Sequence, residues 1–227
     1  YPELRLIAGI EMTADLPDGT GDVHLLGYFL GYHDRSFQEH LLQFREGRVN
    51  GAKMMVHKLA ELGLPVDWQR VQSIAAGASV GRPHIAQAMV ERGYIKSQKD
   101  AFEEYLQDGG KAHFARPHIL LADAVKLINS VGGVAVLAHP LYTKNYQDLI
   151  ASLSKVGVVG IEAHYAEFNP ADQSELLRLA DHYNLLPCGG SDYHAFGSPN
   201  ENLPGTAGPP LEVFEKLEAL ALTQSQG

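Results

Sequence analysis

The stretch Gly132-Gly133-Val134-Ala135-Val136-Leu137-Ala138-His139-Pro140 decides how the rest of the chain is read. Two glycines punctuate it, an unbroken apolar run follows, and an imidazole stands where the run ends. A short continuous apolar run between turn signals is the pattern of a strand buried on both faces. Downstream, 145–154 reads as a helix and Val156 to Ile161 as a strand. Next, 170–183 is helical with Leu176, Leu177 and Leu179 on its apolar side, Leu185 to Cys188 is a strand, and a closing helix covers about 210–222. Strands alternating with helices predict an α/β protein with parallel strands.

Upstream, Leu4 to Ile10 is an apolar run ending at Glu11. Val23 to Leu30 is a second, separated from the first by the turn signal Pro17-Asp18-Gly19. Both are strand candidates. From Ser36 to Leu62 the apolar positions recur at helical spacing, Gly63 stops the pattern, and Asp67 is placed to cap the helix that follows. Shorter helical pieces are expected at about 83–92, 98–107 and 121–130. The predicted organisation is therefore an α/β domain formed by 1–34 and 117–227, with a mainly helical insertion, 35–116, between its two parts.

Composition narrows the function. The 227 residues are 45% apolar and 20% charged, enough to bury a core. Eighteen Lys and Arg against 27 Asp and Glu leave a net charge of -9, which argues against tight wrapping of duplex nucleic acid by a fold-wide basic field. Small anions held by a metal or a local Arg pair stay open. Cys188 is the only cysteine, so no intrachain disulfide forms and a reducing, cytoplasmic setting is expected. The apolar stretch Val131 to Leu141 is too short and too interrupted to span a bilayer. The chain opens on Tyr1-Pro2-Glu3 without an initiator Met, and we expect further sequence upstream.

The polar residues that matter fall where apolar strands end: Glu11, His139, the Glu162/His164 pair, and Asp192 with His194. In parallel α/β sheets those ends converge on one face, where sites form. Asp192 and His194 are two apart, so an extended segment points both to one side. Carboxylate mixed with imidazole, without thiolate, is a donor set for Zn²⁺, Mn²⁺ or Fe. His24, inside the second strand, reads either as a packed core histidine or as a partner of Glu11.

Gly9-Ile10-Glu11 followed by Val23-His24-Leu25-Leu26-Gly27-Tyr28, then Ala138-His139-Pro140, then Ser191-Asp192-Tyr193-His194, form an ordered set. That set resembles the motifs of the PHP (polymerase and histidinol phosphatase) domain family. Ser79-Val80-Gly81-Arg82-Pro83-His84-Ile85-Ala86 brings the likeness closest to its stand-alone nucleotide-phosphoesterase branch. The resemblance implies a distorted seven-stranded (β/α) TIM-like barrel holding two or three divalent metal ions (Mn, Zn or Fe). It implies Glu11, His24, His139, Asp192 and His194 as ligands, with the insertion as a cap over the barrel mouth. The family's first-strand His-x-His motif and its Asp-His-Asp-like motif have no counterpart here. The first strand–helix units, and part of the metal shell, are therefore expected to be missing from this stretch.

Metal-assisted hydrolysis is the chemistry such a donor set supports, with Asp192 and His194 at its centre. Phosphate oxygens left over need fixed cations, and Arg82 and Arg116, each followed by a Pro-His pair, are the candidates. His84 and His118 either touch substrate or serve as capping and packing residues. The expected activity is release of phosphate from small nucleotides: 3′,5′-bisphosphates, 5′-phosphorylated nucleotides or short oligonucleotides. A 5′-to-3′ exonuclease on short RNA or DNA, an amidohydrolase-like C–N hydrolase and a non-catalytic nucleotide-binding module are the competing readings.

Overall fold

The computed structural model describes residues 4–77, 80–114, 119–194 and 201–224. The chain divides into two compact units, Tyr1–Phe37 with His118–Gly227, and Gln38–Pro117. The first is a mixed α/β unit. Its strands are β1 (Gly9–Asp15), β2 (Asp22–Tyr28), the two-residue β3 (Ile119–Leu120), β4 (Val134–Leu137), β5 (Val158–Tyr165) and β6 (Leu186–Gly190). They form one sheet in the order β3-β1-β2-β4-β5-β6.

One expectation is corrected here. β2 runs antiparallel to both β1 and β4, while β1 with β3, and β4 with β5 and β6, pair in parallel. The short hairpin connection between Asp15 and Asp22 forces β1 and β2 to run antiparallel, because it returns the chain alongside itself. The six described strands form an open sheet with β3 and β6 at its edges, and no barrel closes among them.

The first strand is also displaced from its sequence reading. Leu4 and Leu6 are 65% and 86% exposed, and pairing begins only at Gly9. Register is counted back from the turn: the Leu16 N–H donates to the Gly21 carbonyl, and the ladder runs from Asp15↔Asp22 to Gly9↔Tyr28. Glu11 therefore sits inside β1 and not at its end. Alternation then sorts the faces. Met12, Ala14, Val23 and Leu25 are buried on one face, and Glu11, Thr13, His24 and Leu26 lie on the other.

Helices cover the sheet. α5 (Leu121–Asn129), α6 (Tyr146–Val156) and α7 (Pro170–His182) pack on its strands, and α8 (Leu211–Gln224) sets Val213, Leu217 and Ala221 against Val134, Val136 and Cys188. Asn169 caps α7, its side chain accepting from the Ala171 and Asp172 N–H groups. The second unit is helical: α1 (Arg35–Glu61), which begins in the first unit, α2 (Trp68–Ala75), α3 (Arg82–Glu91) and α4 (Gln98–Ala101), which runs into a π-turn at Phe102–Leu106. Leu59, Val71, Ile85, Met89 and Leu106 form its core, and Asp67 caps α2 as its position predicts.

Gly189 marks the tightest approach in the sheet. A Cβ there would lie 2.1 Å from the His164 carbonyl oxygen, which is backbone and cannot swing aside. Gly189→Ala is expected to destabilise the protein by about 1–3 kcal/mol, the range for overpacking a filled site, read as a lower urea midpoint with unchanged slope.

Candidate metal centre

Four segments deliver donors to one end of the sheet. Glu11 and His24 come from the hairpin: Glu11 faces Leu26, and His24 lies two residues before Leu26 on the same face. This is the diagonal pairing that long side chains can bridge. His24 is near the start of β2, and because β2 is reversed, its start lies beside the end of β4. The Ala138 N–H donates to the His24 carbonyl at 2.9 Å, next to His139.

His139 departs from strand alternation. Its neighbour Leu137 pairs with Leu25 on the face opposite Glu11, so an extended continuation would carry the imidazole away from the site. Instead its backbone takes φ 25 and ψ 61, just before Pro140. Asp192 likewise has a left-handed backbone, φ 50. Such conformations cost a non-glycine residue on the order of 1–3 kcal/mol and persist where the surroundings hold them.

The resulting distances are short. Glu11 Oε1 lies 2.6 Å from His24 Nδ1 and 3.6 Å from His139 Nε2, and the two imidazole nitrogens are 3.1 Å apart. Donors on a shell about 2.1 Å from a cation stand about 3.0–3.4 Å from one another; the imidazole pair meets that spacing, while Glu11 Oε1 lies closer than that to His24 and farther than that from His139, so the three atoms need only small shifts to hold a divalent ion. Glu11 also joins Asp192 and His194 in a second group whose donor atoms all lie within 4.8 Å of one another. His194 Nδ1 lies 2.7 Å from the Asp192 carbonyl oxygen. A carbonyl only accepts, so Nδ1 carries a proton and donates it, which leaves Nε2 as the ring nitrogen that can face an ion.

Electrostatics agree with a site built for positive charge. Glu11 is held far below the usual carboxylate range by its hydrogen bonds to His139 and His24. Burial opposes a charge on His139, yet its bond to Glu11 and the fields of Glu162, Glu11 and Asp192 raise its pKa above the ordinary imidazole value. Glu162, 5% exposed, is raised chiefly by burial; its Oε2 accepts the His139 N–H at 2.9 Å. Cys188 is buried and its thiol is pushed up to about 12, which suits a core residue and no nucleophile.

Of the residues singled out from sequence, Glu11, His24, His139, Asp192 and His194 are thus brought together. His164 is not: its Nδ1 lies 2.7 Å from Gln173 Nε2 on α7. Arg82 and His84 belong to the helical unit. There the Arg82 guanidinium lies 3.0 Å from Asp108, and His84 Nδ1 accepts the Gly81 N–H, capping α3. Arg116 and His118 lie outside the described residues. Sequence reading gave no role to Tyr165, whose hydroxyl donates to Asp192 Oδ2 at 2.9 Å. Nothing in the local spacing marks it. Glu162 did carry a signal, a carboxylate directly after an apolar run.

No family model matches the chain. It is 28% identical over 195 residues to the 5′-3′ exoribonuclease Rnm of Escherichia coli, which takes in 84% of this chain and 66% of that protein. The chain therefore spans just under two thirds of that relative's length. It is 27% identical over 227 residues to the 3′,5′-nucleoside bisphosphate phosphatase of Chromobacterium violaceum, covering 96% of this chain and 79% of that one. Among solved structures, a metal-dependent phosphoesterase from Bifidobacterium adolescentis superposes with a TM-score of 0.78 at 26% identity, over 96% of this chain and 77% of that chain.

Mn²⁺ at a hundred times its dissociation constant should stabilise the protein by about 2.7 kcal/mol, seen as a raised thermal midpoint. In His139→Ala that rise should disappear. An equal rise in the variant would remove His139 from the ligand set.

Proposed function

We propose that this chain carries much of the metal-binding face of a hydrolase that releases phosphate from small nucleotides, 3′,5′-bisphosphates or 5′-phosphorylated nucleotides and short oligonucleotides. The observation that carries the reading is the convergence of Glu11, His24 and His139, with Glu11 shared by Asp192 and His194. Likeness to a nucleoside bisphosphate phosphatase and to a metal-dependent phosphoesterase supports phosphate esters as the substrate class. Likeness to an exoribonuclease favours the second reading, stepwise 5′-to-3′ cleavage of short RNA.

In this reading the five residues hold two or three divalent ions (Mn, Zn or Fe), which polarise the phosphoryl group and activate water when bound. Asp192 and His194 stand nearest the chemistry. Arg82 gives up Asp108 for a phosphate oxygen, and His84, Arg116 and His118 complete phosphate recognition. Residues 35–116 are an insertion between 1–34 and 117–227, the latter two contributing to a distorted TIM-like barrel, working in the cytoplasm. Among the described residues no helix is long and apolar enough to cross a membrane.

The test is phosphate release, with Mn²⁺, from adenosine 3′,5′-bisphosphate, 5′-AMP and a short 5′-phosphorylated RNA, using the intact gene product that contains this chain. Release from the nucleotides, lost by at least about 10³-fold in Asp192→Ala with the circular dichroism unchanged, is the expected result. Metal bound without phosphate release would favour the C–N hydrolase, and neither would leave a binding module. Arg82→Ala should raise KM roughly tenfold, the worth of one charge-assisted hydrogen bond, and spare a neutral amide substrate.

A further inference from the structure

We infer that β5 is the positioning strand of this centre: a one-residue bulge at Ala163 sets Glu162 and Tyr165 on one face, where Glu162 holds the His139 main chain and Tyr165 holds the Asp192 carboxylate. The inference rests on the metal-ligand reading of His139 and Asp192 and adds what fixes their geometry.

The register carries it. Along β5 and β6 the partners are Glu162↔Cys188, then His164↔Gly189 and Tyr165↔Gly190. Two steps on β5 match one on β6, so Ala163 is the extra residue. Cys188 belongs to the face covered by α8, the face that Leu26 also joins and Glu11 shares by alternation. Glu162 faces Cys188 there. In an unbroken strand His164 would accompany Glu162, and Tyr165 would point to the opposite face. The bulge exchanges them: His164 turns to Gln173, and Tyr165 reaches Asp192. Re-aiming a side chain beside a site is what bulges do.

Both contacts fall on the two ligand candidates with left-handed backbones. His139, at φ 25, has its N–H taken by Glu162 Oε2 at 2.9 Å. Asp192, at φ 50, has Oδ2 taken by the Tyr165 hydroxyl at 2.9 Å, a bond that does not engage Oδ1. Glu162 is the single buried charged residue among the described residues, and Tyr165 is 7% exposed. Burying a carboxylate is costly without partners, and here the partner is the main-chain N–H of one ligand candidate. Ligands held by such outer contacts are oriented before the ion arrives.

The experiment measures Mn²⁺ affinity and bound-ion count by calorimetry and elemental analysis on the intact protein, beside the metal-free thermal midpoint. Tyr165→Phe removes one oxygen and no packing. It should bind Mn²⁺ about 10- to 100-fold more weakly, the usual effect of losing such a partner, with its metal-free midpoint unchanged. Glu162→Ala should weaken binding similarly, and Glu162→Gln, which keeps an acceptor for the His139 N–H, should recover most of it. His164→Ala should bind as the wild type does. Wild-type affinity in Tyr165→Phe, equal losses in Glu162→Gln and Glu162→Ala, or a loss in His164→Ala would each overturn the inference. A wild-type protein that binds no Mn²⁺ would overturn the metal-site reading beneath it, an outcome the first titration separates from the others.

Discussion

Glu11 is one carboxylate serving two imidazoles, and it stands within reach of a second aspartate–histidine pair. Much of the unit's geometry can be understood as the cost of that sharing. Donors on separate segments must meet within a few ångströms, yet each arrives on a rigid strand whose side chains alternate. A hairpin solves half of the problem, because its turn locks Glu11 and His24 onto one face. The reversed direction of β2 solves the other half, bringing the start of that strand to the end of β4, where His139 follows.

The remaining donors need departures from regular backbone. His139 and Asp192 both adopt left-handed conformations, unfavourable for residues with a Cβ. The surroundings that hold them are the buried rows of β4 and β5, where Val134, Val136, Leu137 and Ile161 are closed to solvent. A packed core of this kind transmits position well, so strain at the sheet end is offset by apolar burial behind it. The close approach of Gly189 to the His164 carbonyl belongs to the same economy of space.

Much of this was readable in the residues. Apolar runs and turn signals located β2, β4, β5, β6 and most helices within a few residues, and strand-end acids and imidazoles pointed to His139, Asp192 and His194. β1 was misplaced because Leu4 and Leu6 are as apolar as core residues and yet lie exposed; hydrophobicity cannot tell which stretch finds a partner. β3, two residues long, carries no pattern to read. His164, two residues after Glu162, faces away from it because β5 contains an extra residue between them, and no residue type marks that insertion.

The sequence by itself determined the chemistry on offer: carboxylates and imidazoles after apolar runs, a single cysteine, an acidic balance, and a helical stretch between two α/β segments. Those are local properties, written in residue type and short-range period. The tertiary structure alone decided which groups meet. Register across β1 and β2, the reversal of β2, the bulge at Ala163 and the left-handed turns at His139 and Asp192 all arise from pairing between segments distant in the chain. A bulge of one residue leaves composition and hydrophobic pattern almost untouched, yet it changes which side chain faces the centre, because strand alternation has a period of two.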